Sequence, residues 1–139
     1  MTELQRAKAL LQRGYTCILC DHDRILTSKK AGIAPILDRY ESGEGTVDMC
    51  VADRVIGKAA AMLLTLMGVR AVYGEVMSSA AHTFLQERGI EAAYGTLVPM
   101  IVNRSGDGPC PMEAAVASLS EPSQAPAAIR SALQALKNK

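Results

Sequence analysis

The sequence predicts an α/β protein, a three-layer α/β/α sandwich with a mixed sheet of about five strands. Two short apolar strand patterns flank a turn near the start of the chain, which predicts an antiparallel hairpin. Helix and strand patterns alternate after it, as is typical of parallel strands joined by helices. The 139 residues fit one domain, with a core over about 14–119 and a C-terminal helix over about 125–137.

The first elements follow from apolar spacing and from turn residues. Apolar residues recur at helical spacing before Gly14, which predicts a helix over 3–13. YTCILC and RILTS lie on either side of Asp21-His22-Asp23, so they are predicted as the two strands of the hairpin. A second helix is predicted from about Ile33 to Ser42, since Pro35 fits its first turn.

The middle of the chain predicts a short strand and then a long helix, from about Ala52 to Met67, closed by Gly68. Beyond Lys58 this helix is apolar nearly all round, so we expect burial on more than one side. Glycine inside a helix costs roughly 1 kcal/mol compared with alanine. We therefore expect a close neighbour at Gly57.

The last third of the chain continues the alternation. VRAVYGEVM predicts a strand, SSAAHTFLQERG a helix with serine at its start, and IEAAYG the beginning of the next strand. TLVPMIVNR then predicts a strand, followed by the polar loop NRSGDGPCPME and the helices CPMEAAVASL and APAAIRSALQALK. Because functional loops lie at the carboxyl ends of parallel strands, a site is expected near residues 50–53, 76–79 and 102–113.

Composition and charge limit the classes of partner. The net charge of +1 and the scattered basic residues argue against nucleic acid. The amino terminus lacks the apolar core of a signal peptide, and the longest apolar run is too short to span a bilayer. We therefore expect a cytoplasmic protein without membrane contact, whose four cysteines are free thiols. Seven methionines offer adaptable apolar surface, which is compatible with a homodimer.

The loop NRSGDGPCPME is the first candidate site. Gly106 and Gly108 free its backbone, and Glu113 can accept bonds from amides of the first helical turn. Such a loop feeding a helix suits an anion, which its amides would hold together with Arg104. Cys110 beside a helix amino terminus is a candidate nucleophile, although no histidine lies near it in sequence to act as its base.

The Cys17-x-x-Cys20 spacing is also found in redox and zinc pairs. Within a strand, however, residues three apart point to opposite faces, so buried thiols are the better interpretation. His22 is interpreted as a solvated turn residue, and His82 as a surface or packing residue of a helix.

Charged residues at the start of the predicted 52–67 helix form the second candidate site. Arg54 and Lys58 are four residues apart and would share a face, while Asp53 would benefit from the helix dipole. A solvated edge explains all three, but Lys58 in a buried helix would need a partner or a role. Ser78 and Ser79 are predicted to cap the next helix, and either hydroxyl could also bind a ligand.

The segments ADRVIGKAAAML, VMSSAAH, VP and NRSGDGPCPMEAAV resemble an uncharacterised prokaryotic family, domain of unknown function 1893, whose members resemble cytidine deaminases in fold. The resemblance covers Gly14 to Val116 and implies a cytidine deaminase-like sandwich with no established activity. Deaminases place His or Cys and Glu, one residue apart, at one helix start, and Pro-Cys-x-x-Cys at the next.

These two motifs would fall on Val51-Ala52-Asp53 and on residues 77–81. Valine, serine and alanine stand there in place of three zinc ligands, so the classical mechanism is excluded and no metal or cofactor is expected. PCPME comes too late in the chain to be the zinc motif. A displaced zinc site of Cys50, His82 and Cys110 lacks a spacing signature.

The leading hypothesis is a protein without zinc that binds a small anionic ligand of nucleotide or ribose-phosphate type. Loop amides and Arg104 would hold a phosphate, Asn103 and the serines would supply hydrogen bonds, and Asp53 would take a sugar hydroxyl. The expected ligand-binding residues are Lys58, Ser78, Ser79, Asn103, Arg104 and Glu113. The alternatives are an enzyme of unknown reaction that uses Asp53 and Cys110, or a non-catalytic homo-oligomeric regulatory protein.

Overall fold

The sheet has five strands, and the computed structural model describes residues 1–138 of the chain. The strands are β1 (Cys17–Cys20), β2 (Ile25–Ser28), β3 (Cys50–Ile56), β4 (Ala71–Ser78) and β5 (Glu91–Val98). Their order across the sheet is β2-β1-β3-β4-β5. Strand β1 runs antiparallel to β2 and β3, whereas β3, β4 and β5 are parallel. The predicted α/β class with a mixed sheet of five strands is confirmed.

Helices cover both faces of this sheet. They are α1 (Glu3–Leu11), α2 (Ala34–Ser42), α3 (Lys58–Leu66), α4 (Ser79–Glu87), α5 (Pro111–Val116) and α6 (Ala125–Lys137), with a single 3-10 turn at Pro122–Gln124. Helix α1 packs on one face against β1, β3 and β4, and α3 is the central helix of the other face, in contact with α2, α4, α5 and α6. None of the helices in residues 1–138 is long and apolar enough to cross a membrane.

Strand β1 is buried on both faces and divides the core in two. Its Ile18 and Cys20 pack with α1, whereas Cys17 and Leu19 pack in the larger cluster around α3. Cys17 and Cys20 therefore point to opposite faces as free, buried thiols, as the strand pattern predicted.

The predicted helix from Ala52 to Met67 is wrong in its first third. Strand β3 continues to Ile56, and α3 begins only at Lys58. The first four residues of β3 are all buried, so the sequence shows none of the polar alternation that marks a half-exposed strand. Asp53 and Arg54 consequently lie in the sheet, and Arg54 shares no helix face with Lys58. Gly57 is the N-cap of α3 and not an interior residue.

The predicted strand over residues 96–104 is also wrong. Strand β5 runs without interruption from Glu91 to Val98, and the following Pro99 has no N–H to continue the ladder. Beyond it, Val102 makes one isolated bridge with Pro109. The carboxyl ends of the parallel strands thus lie at residues 56, 78 and 98, not at 50–53 and 102–113. Helix α1 ends at Leu11, two residues earlier than expected.

Candidate functional site

A surface groove lies where the parallel strands end. Because β3, β4 and β5 run in the same direction, the starts of α3 and α4 lie along one edge of the sheet. The groove begins at these helix starts and runs along α4 to Arg88, and its volume of about 580 Å³ is within the range of roughly 300–1,000 Å³ that is common for small-molecule sites. It is lined by Lys58, Ser79, Ala80, Thr83, Phe84, Glu87, Arg88, Leu119 and Ser120.

One wall of the groove is a face of α4. The residues of that wall are three or four apart along the helix, which places them on one side. Phe84 is 6% exposed, and the guanidinium carbon of Arg88 lies 3.8 Å from the centre of its ring. Arg88 Nη2 also donates to the carbonyl of Ser120 at 2.9 Å. These two contacts hold a planar cation at the groove, and planar guanidinium groups bind phosphate and stack on rings.

The opposite end of the groove carries Lys58 and Ser79. Lys58 Nζ donates to the carbonyl of Ala117 at 3.2 Å, and Ser79 Oγ donates to the carbonyl of Val98 at 3.2 Å. The lining residues include one carboxylate, Glu87, and two cations, Lys58 and Arg88. The groove therefore has one excess positive charge and several hydroxyl groups, which favours an anionic ligand.

The backbone at the start of α3 is capped by a carboxylate from α5. Glu113 Oε1 accepts from the amide of Lys58 at 2.7 Å, and Glu113 Oε2 accepts from the amide of Ala59 at 2.9 Å. A negative charge at this end of the helix also interacts favourably with its dipole. A Cβ atom at Gly57 would lie 2.4 Å from the Glu113 carboxyl carbon, so the close neighbour expected at Gly57 is Glu113.

The sequence of residues 5–133 matches the model of the family described as a domain of unknown function (DUF1893). This chain belongs to the DUF1893 family. A crystal structure of a DUF1893 family protein from Thermotoga maritima is similar to it, with a TM-score of 0.82 at 24% identity over 96% of this chain and 90% of that chain. No curated protein matches the sequence. The family predicted from the motifs is confirmed, and the T. maritima structure shows a shared fold.

The glycine loop of this DUF1893 chain is closed on itself. The Asp107 carboxylate accepts from Asn103 Nδ2 at 2.9 Å and from Ser105 Oγ at 3.1 Å, while the Asp107 amide donates to Asn103 Oδ1 at 3.2 Å. The bonds from Asn103 and Ser105 hold the pKa of Asp107 below its usual value. An internal carboxylate thus receives the Asn103 side-chain donor that the sequence hypothesis assigned to a ligand. Asn103 and Arg104 belong to this loop and do not line the groove.

Asp53 lies inside the protein, 6% exposed, in the register position opposite Cys17 of β1. The amide of Val55 donates to Asp53 Oδ1 at 3.1 Å. Burial raises the pKa of Asp53 to about 7, although the bond from Val55 opposes this shift. Burial and the neighbouring Asp53 charge raise the pKa of the Cys17 thiol well above its ordinary value. Asp53 is therefore a buried strand residue, and it does not line the groove.

Three other predicted site residues, Ser78, Cys110 and Glu113, have structural roles in capping or packing of helices. Ser78 is buried and its Oγ accepts from the Ala81 amide at 3.1 Å, so it caps α4 as predicted. Cys110 is the N-cap residue of α5 and packs in part against the core, and its amide donates to the Ile101 carbonyl at 3.0 Å. Glu113, predicted to bond amides of its own helix, bonds those of α3. Of the predicted ligand-binding residues, Lys58 and Ser79 line the groove.

Sequence reasoning missed the α4 wall, above all Phe84 and Arg88. A signal was present, because Ser79, Thr83 and Glu87 repeat at intervals of four and Arg88 follows on the same side. That stripe is equally typical of a solvated helix face. This face of α4 lines a groove because residues 119–120 pack beside it, and the sequence pattern does not indicate that packing.

The segment on which the first deaminase motif was expected does not lie at a helix start. Val51-Ala52-Asp53 lies within β3, and the helix start that follows carries Gly57-Lys58-Ala59, which have no zinc-binding side chains. His82 packs edge-on against Tyr94, with ring centres 5.3 Å apart. Within residues 1–138, no three His, Cys, Asp or Glu side chains come close enough together to hold a metal ion.

Proposed function

We propose that the groove between α3 and α4 binds a small anionic ligand of nucleotide or ribose-phosphate type, without zinc. One observation carries the proposal: two cations, Lys58 and Arg88, are anchored to backbone carbonyls in one groove, which begins at the starts of α3 and α4 and runs along α4. Strand ends of this kind are the usual ligand position in α/β sheets. The cytidine deaminase-like fold expected from the sequence motifs would fit a ligand of the same class.

The lining residues divide into two parts. Lys58 and Ser79, at the helix starts, suit the phosphate because they offer an ammonium group and a hydroxyl donor. Arg88, stacked over Phe84, offers a flat cationic surface for a base, while Thr83 and Glu87 lie between the two parts and suit sugar hydroxyls. In this proposal, the groove residues replace Arg104, Asn103 and Asp53, to which the leading hypothesis from the sequence gave these roles.

Titration calorimetry with inorganic phosphate, ribose 5-phosphate and nucleoside monophosphates tests the proposal. A charged hydrogen bond is worth roughly 1.5–3 kcal/mol, so Lys58→Met and Arg88→Met should each weaken binding by at least about tenfold. Lys137→Met removes an exposed cation from the last turn of α6 and should leave the affinity unchanged.

Arg104→Ala distinguishes the groove from the loop. If Arg104→Ala weakens binding while Lys58→Met and Arg88→Met bind like the unaltered protein, the anion lies at the loop and the groove proposal is wrong. Failure of all these compounds to bind at millimolar concentration would contradict ligand binding at either place.

An enzyme that uses Asp53 with Cys110 remains an alternative prediction. The Asp53 carboxyl accepts from the Val55 amide and lies beside the Cys17 thiol, and neither contact involves Cys110. Loss of turnover in Cys110→Ser with ligand binding intact would favour it.

A self-associating protein is the second candidate, favoured by the edge strand β5. Tyr94 is 42% and Leu97 is 40% exposed, and β5 carries neither the lysine nor the proline that commonly protects a sheet edge. If subunits pair along this edge, Leu97→Glu should shift the native mass spectrum from dimer to monomer. Leu136→Glu on α6, a residue 44% exposed, should not. A monomer before any substitution would contradict this candidate.

A further inference from the structure

Two free cysteines lie opposite each other in the middle of the sheet. Cys20 of β1 and Cys50 of β3 are register partners in the antiparallel pair, and both belong to the cluster under α1. Opposite residues in such a pair have Cα atoms roughly 4.5–5.5 Å apart. Disulfides span Cα distances of about 4.4–6.8 Å, so the backbone already permits a bond between these sulfur atoms.

The polar groups around the two sulfur atoms differ. Arg70 Nη2 lies 3.1 Å from Cys50 Sγ, whereas the Cys20 thiol donates to the carbonyl of Glu3 at 3.1 Å. A neighbouring guanidinium stabilises a thiolate, and a carbonyl acceptor favours the protonated thiol. Burial raises the pKa of both thiols, and a guanidinium opposes this shift at each, Arg70 at Cys50 and Arg6 at Cys20. The bond to the Glu3 carbonyl keeps the proton on Cys20, so Cys50 is taken as the attacking thiol.

Glu3 and Arg70 lie between the two sulfur atoms and solvent. Glu3, the first residue of α1, forms an ion pair of 3.3 Å with Arg70, and these side chains are 33% and 52% exposed. Exposed ion pairs contribute little to stability, and the first turn of a helix opens locally more easily than the strands of a core. Opening the first turn of α1 would bring solvent to Cys20 and Cys50.

We propose that Cys20 and Cys50 are an oxidation site that closes to an intramolecular disulfide when hydrogen peroxide reaches it. The Cys50 thiol loses its proton, its sulfur attacks one peroxide oxygen, and the O–O bond breaks to give a sulfenic acid and a hydroxide. The hydroxide takes up the proton that Cys50 released and leaves as water. The Cys20 sulfur then attacks the Cys50 sulfur, the S–O bond breaks, and a second water leaves with the Cys20 proton. The two sulfur atoms are oxidised to the disulfide, and the peroxide is reduced to two waters.

Hydrogen peroxide treatment of the full-length chain tests this site. The intact mass should fall by two hydrogen atoms, and peptide mapping should join Cys20 to Cys50. Cys17→Ser and Cys110→Ser are the matched controls and should keep the bond, because Cys17 faces Asp53 and Cys110 lies at the start of α5. Cys20→Ser and Cys50→Ser should abolish it.

A sulfenic acid probe, dimedone, tests the order of the steps. In Cys20→Ser the intermediate cannot be resolved, so dimedone should label Cys50; Cys20→Ala serves the same purpose if the serine variant does not fold. Absence of the joined peptide at a peroxide concentration that oxidises Cys110 would overturn the proposal. A bond that persists in Cys50→Ser would do so as well.

Discussion

Replacing Asp53 with asparagine should remove a pH dependence from the stability of the protein. The carboxyl is 6% exposed, and burial raises its pKa from 3.8 to about 7. The folded state therefore prefers the neutral acid, whereas the unfolded chain ionises near the ordinary value. Asparagine keeps an oxygen for the Val55 amide and cannot ionise.

The sign and size of the effect follow from that difference. About three pKa units at roughly 1.36 kcal/mol each give at most about 4 kcal/mol. Because the folded-state pKa is the higher one, this stability is fully present below about pH 4, declines between about pH 4 and 7, and does not change further above that. Between pH 5 and pH 8 the unaltered protein should lose roughly 2–3 kcal/mol through this group.

Urea unfolding followed by far-UV circular dichroism, at pH 5 and pH 8 with a reductant, measures the change. Asp53→Asn should not show the part of the stability loss that comes from ionisation of Asp53. Its free energy of unfolding should therefore rise relative to that of the unaltered protein as the pH rises. Asp23→Asn, in the exposed hairpin turn, should keep the original pH profile. Other titrating groups cancel in this comparison. If Asp53→Asn and the unaltered protein show the same pH profile, Asp53 is not held neutral by burial.

Two further sets of substitutions test the helix starts by urea unfolding. Gly57→Ala places a Cβ against the Glu113 carboxylate and should lower the free energy of unfolding by about 1–3 kcal/mol. The loss should be smaller when Glu113 is also replaced by alanine. Equal losses with and without Glu113 would show that the carboxylate is not the obstacle. Ser78→Ala removes the buried cap of α4 and should lower the free energy of unfolding by about 1 kcal/mol. Ser79→Ala removes an exposed bond to the Val98 carbonyl and should change it by less than about 0.5 kcal/mol. Equal losses would show that Ser78 is not the more important cap.

Sequence patterns located the elements that have one polar face. Helix α6 has the predicted bounds, and α2, α4 and the hairpin follow their apolar spacing and terminating residues closely. The junction between β3 and α3 could not be found in this way, because the strand and the helix are both buried. Gly57 marks the junction, because it follows the last residue of β3 and is the N-cap of α3. An apolar run interrupted by glycine fits a strand end and a cap as well as it fits a packed helix.

The site could be predicted only in part, because its walls come from distant segments. Lys58 and Ser79 stand at helix starts that sequence patterns place near strand ends. Arg88 becomes a groove residue only because residues after α5 fold back against α4 and give it the Ser120 carbonyl. The partner of the Lys58 amide is Glu113, which lies in another helix, and no local spacing links the two.

The Glu113 cap also determines which atoms at the start of α3 can bind an anion. The Lys58 and Ala59 amides are a natural phosphate site, but both already donate to one carboxylate at 2.7 and 2.9 Å. An incoming phosphate would have to displace a charged group of the same chain, which is present at a high effective concentration. The Lys58 ammonium has one bond to a carbonyl, at 3.2 Å and exposed, and its remaining hydrogens can turn toward a ligand. The backbone of this helix start therefore stabilises the fold, and only the Lys58 side chain is available for the anionic ligand that we propose.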